Sequence, residues 1–240
     1  KVLPVESTTC VTVHNAMIFM YPENSDWNHL AYVLDDTSWS AREMRKYFQR
    51  FEKNNYREAP RRSRSLMTLL NREKMGFKGW LSTEQTSPLF ILKDPKFIKI
   101  FFSALVEEGI VSEVTDIIKN KMKLDPNTWS YVQNKLDGIF NVPKSTKDGL
   151  RSSTRDFILE TKRKYPHLLT IKLNTLVEKI LVNNDNRAYG VLVREGKNLY
   201  KAASENSPSM GFSSRMYQCQ NEVVLSAGAF NSPQILMLSG

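Results

Sequence analysis

Apolar residues at helical spacing predict an amphipathic helix of about 13 residues that begins near residue 40. Ser40, with Glu43 three residues later, has the sequence pattern of a capping box at the start of this helix. The apolar stripe, which repeats at i, i+3, i+4 and i+7, consists of Met44, Tyr47, Phe48 and Phe51. An apolar stripe needs a partner surface, so we expect it to face a core.

A second helix is predicted to begin at Pro95, because Asp94 is a favourable N-cap residue and proline is favourable at the first helical position. Gly109 is a natural terminator for it. The apolar positions of this helix are Phe97, Ile98, Phe101, Phe102 and Leu105. Such a set could line a cofactor pocket, but core packing is its commoner use, and we predict core packing here.

The second half of the chain is richer in strand patterns. A third helix, capped by Ser152 or Ser153, is predicted to run to Lys164 and to end before Pro166. Apolar runs predict strands at 168–173, 177–182 and 189–193, with a turn at 183–186 and a polar surface loop at 202–214. This mixture of helices and strands indicates an α/β fold.

The last segment combines a short apolar run with glycine and a helix. Residues 222–226 are typical of a strand buried on both faces of a parallel sheet, and residues 232–238 are predicted to be helical. The small residues at 227–229 would let a ligand approach the backbone, where helix amide groups favour phosphate. Many α/β domains have this arrangement without a ligand, so the pattern alone leaves both interpretations open.

The net positive charge raises the question of whether the chain binds a polyanion such as a nucleic acid. The 240 residues include 34 Lys and Arg against 25 Asp and Glu, a formal net charge of +9. Along residues 42–53 the two signs alternate, which is typical of a solvated helix face, and only residues 61–64 form a dense basic cluster. Because the sequence has neither zinc-finger spacing nor an RNA-recognition motif, we predict no nucleic-acid partner.

The sequence contains no pattern that indicates a metal site or another kind of catalytic site. Cys10 and Cys219 are far apart and form no CxxC motif, so we predict no metal site. No Ser/His/Asp set, P-loop or pair of flanking carboxylates is recognisable, and we expect His29 and His167 at the surface. No apolar run approaches the ~20 residues of a membrane-spanning helix, so we expect a soluble protein whose location is open.

The C-terminal segment resembles the second signature of the glucose-methanol-choline (GMC) flavin oxidoreductases. That signature requires a small pair, Ser or Thr before Pro, two aliphatic residues and Ser-Gly, and residues 228–240 meet these positions up to the end of the chain. Residues 149–153, 168–182 and 190–191 are similar to the flavin-domain segment of the family. The positions that resemble the first signature and the residues after it are Asn15, Phe19, Pro22, Asn28, Trp39, Ser40, Tyr47 and Phe48.

The resemblance implies an α/β fold in which the chain is part of a discontinuous FAD/NAD(P)-binding-type domain with an inserted α+β substrate and lid region. It assigns residues 1–30 and residues 149–240 to FAD-domain segments. Residues 31–148 are assigned to the lid and the substrate domain. The implied cofactor is FAD and the implied substrate is a small-molecule alcohol, whereas the electron acceptor is unknown.

The implied reaction is oxidation of a CH–OH group, in which a hydride passes to flavin N5 while a base takes the hydroxyl proton. The family's GxGxxG fingerprint has no counterpart in this sequence, and its catalytic His is expected beyond Gly240. We therefore expect no catalytic residue in this chain, which would be an internal fragment or a truncated product that is inactive alone. The alternative is a non-catalytic remnant that serves as a binding or interaction module.

The resemblance also implies cofactor-binding residues in three segments. They are His14, Asn15, Ala16 and Met17 beside the flavin, Val177 against the adenine, and Ser226, Ala227 and Gly228 beside the ADP moiety. Some members, of the choline oxidase type, attach FAD covalently through the residue that matches His14, and others have the same His-Asn pair without a link. The alternative for His14 is a neutral core histidine. Asn15 could equally serve a turn, and Val177 could be a plain core valine. Residues 9–12 (Thr-Cys-Val-Thr) replace the family's Gly-Gly pair, and branched side chains there would prevent close backbone approach.

Overall fold

The computed structural model describes residues 2–4, 15–57, 71–86, 94–107, 109, 125–135, 140–199 and 211–240. The chain divides into two compact units: a first unit of residues 1–15 and 153–240, and a second unit of residues 16–152. Both units contain helices and strands, as expected for an α/β fold. The assignment of cofactor, lid and substrate roles to segments of the chain stays a prediction.

Six helices and nine strands are defined within the described residues. In chain order they are β1 (Val2–Pro4), α1 (Asn24–Val33), α2 (Ala41–Phe51), β2 (Glu52–Asn54), β3 (Leu81–Thr83), α3 (Pro95–Glu107), α4 (Trp129–Asn134), β4 (Thr146–Lys147), β5 (Leu150–Arg151), α5 (Thr154–Lys164), β6 (Thr170–Lys172), β7 (Thr175–Val182), β8 (Ala188–Glu195), β9 (Ser213–Gln218) and α6 (Asn231–Ser239). None of the helices in this described part is both long enough and apolar enough to traverse a bilayer. Strands β1 and β6 pair in parallel, as do β2 and β3, whereas β4–β5 and the β7–β8–β9 sheet are antiparallel.

The core of the second unit forms where α2 packs against the segment that precedes α1. Phe19, Tyr21 and Met75 are buried there, and Phe48 and Phe51 of α2 pack against them. The aromatic rings meet mainly edge to face, for example at 5.4 Å between the ring centroids of Phe19 and Tyr21. The predicted helix is therefore confirmed, and its core-facing stripe is confirmed at Phe48 and Phe51 but is wrong at Tyr47, which is 52% exposed.

The predicted capping box of α2 is wrong, although the helix begins where expected. Ser40 is the N-cap residue, but its side chain makes no capping hydrogen bond. Glu43 instead pairs with Lys46 at 2.6 Å, three residues further along the exposed face. A lysine at this spacing competes for the carboxylate that would otherwise bond back to the N-cap amide.

Capping side chains are found at the starts of α3 and α5. Asp94 accepts hydrogen bonds from the backbone N–H groups of Lys96 at 2.9 Å and Phe97 at 3.2 Å. At α5, the backbone N–H of Ser153 donates to the Asp156 carboxylate at 2.9 Å. These bonds satisfy backbone N–H groups of the first turn, which have no carbonyl partner within the helix. The starts of both helices could therefore be predicted from the sequence.

The predicted core face of α3 is wrong for the side chains that the structure describes. Phe97 is 44% exposed and Phe102 is 39% exposed, because no described element packs extensively against this helix. Ile98 is half-buried, and the side chains of Phe101 and Leu105 lie outside the described set. The helix itself is confirmed.

In the first unit the β7–β8 hairpin confirms the predicted strands and turn. The Asn183 side chain accepts from the N–H groups of Asp185 at 3.1 Å and Arg187 at 2.9 Å, which closes the turn. Strand β9 completes the sheet along β8 and begins at Ser213, so the predicted loop is wrong at residues 213–214. The part of that loop at 202–210 lies outside the described residues.

The predicted buried strand at residues 222–226 is also wrong. This segment has no regular structure, and Val224 is 58% exposed. A strand is stable only beside a hydrogen-bonded neighbour, and no described strand pairs with these residues. The helix that follows, α6, is confirmed, and it packs on β7 through a hydrogen bond from the Ile180 N–H to Ser239 Oγ at 2.9 Å.

Candidate functional site

The residues predicted to bind a cofactor are distributed over both units. His14 lies outside the described residues. Asn15 ends the first segment of the first unit, whereas Ala16 and Met17 begin the second unit. Val177 lies in β7, and the turn before α6 holds Ser226, Ala227 and Gly228, so these four residues share the first unit. No metal-binding group of three or more His, Cys, Asp or Glu side chains occurs within the described ranges.

The segment that follows Asn15 is fixed by backbone hydrogen bonds. Met17 has a left-handed backbone conformation with φ of +63°, which is uncommon for a residue with a side chain. Its carbonyl accepts from the N–H of Ser145 at 2.7 Å, and the N–H of Phe19 donates to the carbonyl of Pro143 at 2.8 Å. A strained residue persists only where its surroundings determine its conformation, and here the 143–145 segment supplies that constraint.

Asn127 extends this support to the next residues. Its side chain is fully buried, donates to the Phe19 carbonyl at 2.9 Å, and accepts from the Tyr21 N–H at 2.7 Å. A side-chain amide can donate and accept at once, so Asn127 bonds to the backbone of this segment as a neighbouring strand would. The Asn127 backbone N–H is in turn held by Asp125 Oδ1 at 2.9 Å.

A buried carboxylate lies beside this segment. Glu52 is 0% exposed and accepts hydrogen bonds from Tyr21 Oη, from the Gly76 N–H at 2.8 Å and from Thr83 Oγ1 at 3.1 Å. Three donors around one carboxylate satisfy most of its hydrogen-bonding capacity. Glu52 thus links the Tyr21 segment to Gly76 and to strand β3.

Arg45 is the buried cation of the same cluster. Its guanidinium lies 3.8 Å from the centroid of the Tyr21 ring, a cation–π contact. It donates to the carbonyl oxygens of Lys74 at 3.0 Å, Glu73 at 2.8 Å and Asn127. The planar guanidinium can serve several acceptors at once, which is why arginine can occupy a position that is 4% exposed.

A second buried carboxylate, Asp125, completes the set. Asp125 is 2% exposed and forms an ion pair with Arg57 at 3.0 Å. Tyr56 Oη donates to it at 2.9 Å. We refer to Tyr21, Arg45, Glu52, Asp125 and Asn127 together as the buried polar cluster.

Burial changes the proton affinities in the buried polar cluster. It raises the pKa of Glu52 above that of a free glutamate, although the hydrogen bonds from Tyr21, Gly76 and Thr83 oppose this shift. It likewise raises the pKa of Asp125 against the opposing charge of Arg57. Burial lowers the pKa of Arg45 to about 10, so this side chain stays cationic at neutral pH.

The raised pKa values predict stability that declines as the pH rises. An acid whose pKa is higher in the folded state than in the unfolded state binds more protons when the chain is folded. Its contribution to stability is complete at pH values below the unfolded pKa, and it is lost as the pH rises through the folded pKa. We expect unfolding measurements from about pH 4 to about pH 8 to show a smaller decline for Glu52→Gln than for the native chain. Parallel pH profiles for the two proteins would contradict the raised pKa of Glu52.

The turn before α6 has a geometry that depends on glycine. Gly228 has φ of +93°, where residues with a Cβ are strained. Its carbonyl accepts from the Ser232 N–H at 3.0 Å, and the Ala227 N–H donates to Ser232 Oγ at 3.0 Å. These bonds bring the small residues at 226–228 to the start of α6, whose Ile235 is buried against the rest of the unit.

This turn fits the predicted contact with the ADP portion of FAD. Ala227 and Gly228 are half-buried and Ser226 is exposed, so small side chains leave backbone accessible at the start of a nine-residue helix. A phosphate group is stabilised by such a position because helix N-termini carry positive partial charge. Val177 in β7 is half-buried, which fits either a packed valine or an apolar contact with adenine.

Comparisons with known structures identify the fold class. The chain is similar to pyridoxine 4-oxidase from Mesorbium loti, with a TM-score of 0.60 and 19% identity over 94% of this chain and 35% of that chain. It is also similar to formate oxidase from Aspergillus oryzae RIB40, with a TM-score of 0.61 and 17% identity over 96% of this chain and 32% of that chain. The fold is that of flavin-dependent oxidoreductases.

Sequence comparison then gives the family. The GMC oxidoreductase family model matches residues 11–240, and this chain belongs to the GMC oxidoreductase family, whose N-terminal domain binds FAD. It is 24% identical over 228 residues to an oxygen-dependent choline dehydrogenase of Rhizobium meliloti (strain 1021), a match that covers 94% of this chain and 32% of the relative. It is 38% identical over 72 residues to the glucose methanol choline oxidoreductase atC of Aspergillus terreus, covering 30% of this chain and 9% of that protein. The chain therefore spans about a third of the length of the choline dehydrogenase that it matches.

The buried polar cluster was not predicted from the sequence. Arg45 and Glu52 were interpreted as part of a solvated helix face, and both are buried, so that interpretation is wrong for them. Their positions held a signal: Arg45 comes four residues after the buried Ala41, and Glu52 comes four residues after Phe48. Arg45 therefore lies on the apolar side of α2, where helical spacing predicts burial whatever the residue type, and Glu52 follows directly after the end of that helix.

Proposed function

We propose that this chain supplies part of the FAD-binding region of an enzyme that oxidises the CH–OH group of a small alcohol. The observation that carries the proposal is the family match over residues 11–240. The relatives' names include choline, pyridoxine and formate, so the proposal remains at the level of a substrate class. Oxidase or dehydrogenase activity and the electron acceptor are left open by this assignment.

In this proposal FAD, when bound, accepts the hydride, and the residues of this chain hold the cofactor. His14, Asn15, Ala16 and Met17 would lie beside the flavin ring, Val177 beside the adenine, and Ser226, Ala227 and Gly228 beside the ADP moiety. The left-handed Met17 and its bond to Ser145 support a segment held in one conformation. The Gly228 turn supports the ADP contact.

We further propose that residues 1–30 and 149–240 serve the cofactor and that residues 31–148 contribute lid and substrate-domain elements. The division of the chain into a unit of residues 1–15 and 153–240 and a unit of residues 16–152 is compatible with a discontinuous arrangement. Substrate contacts would then come from the second unit together with parts of the complete enzyme.

The 240-residue chain is expected to be inactive by itself. No histidine of this sequence stands at the position that the family resemblance implies for catalysis, so we expect no catalytic base to take the hydroxyl proton. We expect no reduction of an electron-accepting dye when choline or another alcohol is added with FAD. Alcohol-dependent dye reduction by this chain would contradict the expectation.

The ADP contact can be tested by a pair of glycine variants. Gly228→Ala introduces a Cβ at φ of +93°, and Gly109→Ala, outside the proposed cofactor segments, does so at φ of +71° in a region where nothing lies within 4 Å of the added atom. Both should cost about 1 kcal/mol of stability or somewhat more. We expect titration with ADP or FAD, followed by calorimetry, to show weakened binding only in Gly228→Ala.

Two results would count against this assignment. If Gly109→Ala and Gly228→Ala weaken binding equally, the loss reflects general destabilisation and the turn is not the contact. If the native chain shows no binding of ADP or FAD, the residues at 226–228 do not form a cofactor site in this chain. The second result favours the alternative, a non-catalytic module of the same family.

A further inference from the structure

The second unit contains a cleft of about 490 Å³ that the proposed flavin chemistry does not use. It lies where α1, the start of α2 and α4 come together. Its polar lining includes Asn28, Ser40, Arg42, Gln133 and Lys135, and the indole of Trp129 contributes an apolar wall. Clefts of this volume are in the range that binds small molecules.

Two cations line the cleft without a carboxylate partner. Within the described part of the chain, neither Arg42 nor Lys135 forms an ion pair or a side-chain hydrogen bond. Two other basic residues of this unit are paired, Lys46 with Glu43 and Arg57 with Asp125. None of the described residues that line the cleft is acidic, so its lining has a net positive charge.

Two further cations lie beside the cleft, and the nearby carboxylates are Glu23, which accepts from Ser25 Oγ at 3.1 Å, and Glu73, which accepts from Ser130 Oγ at 3.4 Å. Lys74 lies over the Trp129 ring at 3.5 Å from its centroid, and Arg45 lies 5.5 Å from the same centroid. Burial lowers the pKa of Lys74, and the charges of Arg42 and Arg45 lower it further. A cation that is destabilised by its neighbours indicates a local excess of positive charge. Arg42 and the preceding Ala41 also belong to the first turn of α2, whose amide groups favour an anion.

We propose that this cleft is a binding site for a phosphate group, either inorganic phosphate or the phosphate of a small metabolite. Arginine binds phosphate oxygens through two parallel N–H groups, and lysine adds a point charge, so a dianion suits this pair better than a monoanion. Gln133 and Ser40 offer neutral hydrogen-bond donors at the same cleft. Trp129 gives an organic portion an apolar surface to cover. Among the described residues, none that lines the cleft is one of the proposed FAD contacts.

The test uses the complete 240-residue chain and calorimetric titration at constant ionic strength. The two probes are inorganic phosphate and glycerol phosphate, with chloride as the reference anion. We expect a dissociation constant on the order of 1 mM or lower. The double variant Arg42→Gln/Lys135→Gln removes both cations from exposed positions, and we expect it to weaken binding by about tenfold or more.

A matched double variant distinguishes binding at this cleft from general attraction between phosphate and a positively charged chain. Arg163→Gln/Lys197→Gln makes the same charge change at exposed positions of the first unit, and we expect it to bind phosphate as the native chain does. Tighter binding of glycerol phosphate would assign the cleft to an organic phosphate, and equal binding would assign it to the free ion. No phosphate binding by the native chain, or equal losses in the two double variants, would overturn the proposal. Because ADP and FAD also contain phosphates, retained ADP binding in Arg42→Gln/Lys135→Gln would show that the two sites are separate.

Discussion

Replacing Glu52 by alanine is expected to lower the free energy of unfolding by about 3 kcal/mol or more, because each buried donor that loses its acceptor costs about 1–3 kcal/mol. The substitution leaves the donors of Tyr21, Gly76 and Thr83 without their buried acceptor. It also removes a negative charge near the cationic Arg45. Denaturant unfolding at neutral pH, with tryptophan fluorescence as the signal, measures the loss directly.

Two matched variants show whether this loss belongs to the buried interactions. Glu52→Gln keeps the side-chain volume and one acceptor oxygen, so we expect it to cost less than Glu52→Ala. Glu43→Ala removes an exposed carboxylate of α2 that pairs only with Lys46, and we expect a cost below about 1 kcal/mol. Equal losses for Glu52→Ala and Glu43→Ala would mean that the burial of Glu52 contributes nothing to stability.

Replacing Gly79 by alanine is expected to destabilise the chain by about 3 kcal/mol, at the upper end for overpacking. A Cβ at position 79 would lie 2.0 Å from the backbone carbon and oxygen of Phe51. These are main-chain atoms at the junction of α2 and β2, so no side chain can rotate away to make room. The Gly79 N–H also donates to the Glu52 carbonyl at 2.8 Å, and displacement of the backbone would break that bond.

The control for this prediction is an alanine at an unconstrained glycine. Gly211 has nothing within 4 Å of its added Cβ, so Gly211→Ala should be close to neutral. Thermal unfolding of both variants gives the comparison. If Gly79→Ala unfolds at the native temperature, the close approach of the 79 segment to Phe51 is absent from the folded protein.

The helices were predictable where a local signal defined them. Asp94, Ser153 and the spacing of Phe48 and Phe51 each act within a few residues, and the helices that they indicate are present. The short helix α4 carries no comparable signal and was not predicted. Strands were predictable in the β7–β8 hairpin, where the partner is adjacent in sequence.

The failures arise where a distant partner decides the outcome. Residues 222–226 have the composition of a buried strand, but no described strand pairs with them. The apolar face of α3 likewise has no described element that packs extensively on it. A composition rule can indicate that a segment prefers burial, but it cannot supply the neighbour that buries it.

In the candidate site, too, a local motif was predictable from the sequence and a long-range contact was not. The small residues of the turn at 226–228 were recognised from a continuous motif, and the left-handed Gly228 agrees with the geometry that such a motif requires. Asn127, which lies more than 100 residues from Phe19 and Tyr21 in sequence, was not recognised. Its role depends on a contact that no local pattern encodes, as does the pairing of Asp125 with Arg57.

The buried polar cluster has a consequence for divergence among relatives. Besides their contacts with Tyr21, Arg45 serves backbone carbonyls and Glu52 serves the Gly76 N–H, so loss of either leaves buried backbone groups without a partner. Replacement of all three side chains by apolar residues would leave the same backbone groups unsatisfied. We therefore expect related sequences to keep polar residues at all three positions. An alignment with frequent apolar residues at positions 45 and 52 would contradict this expectation.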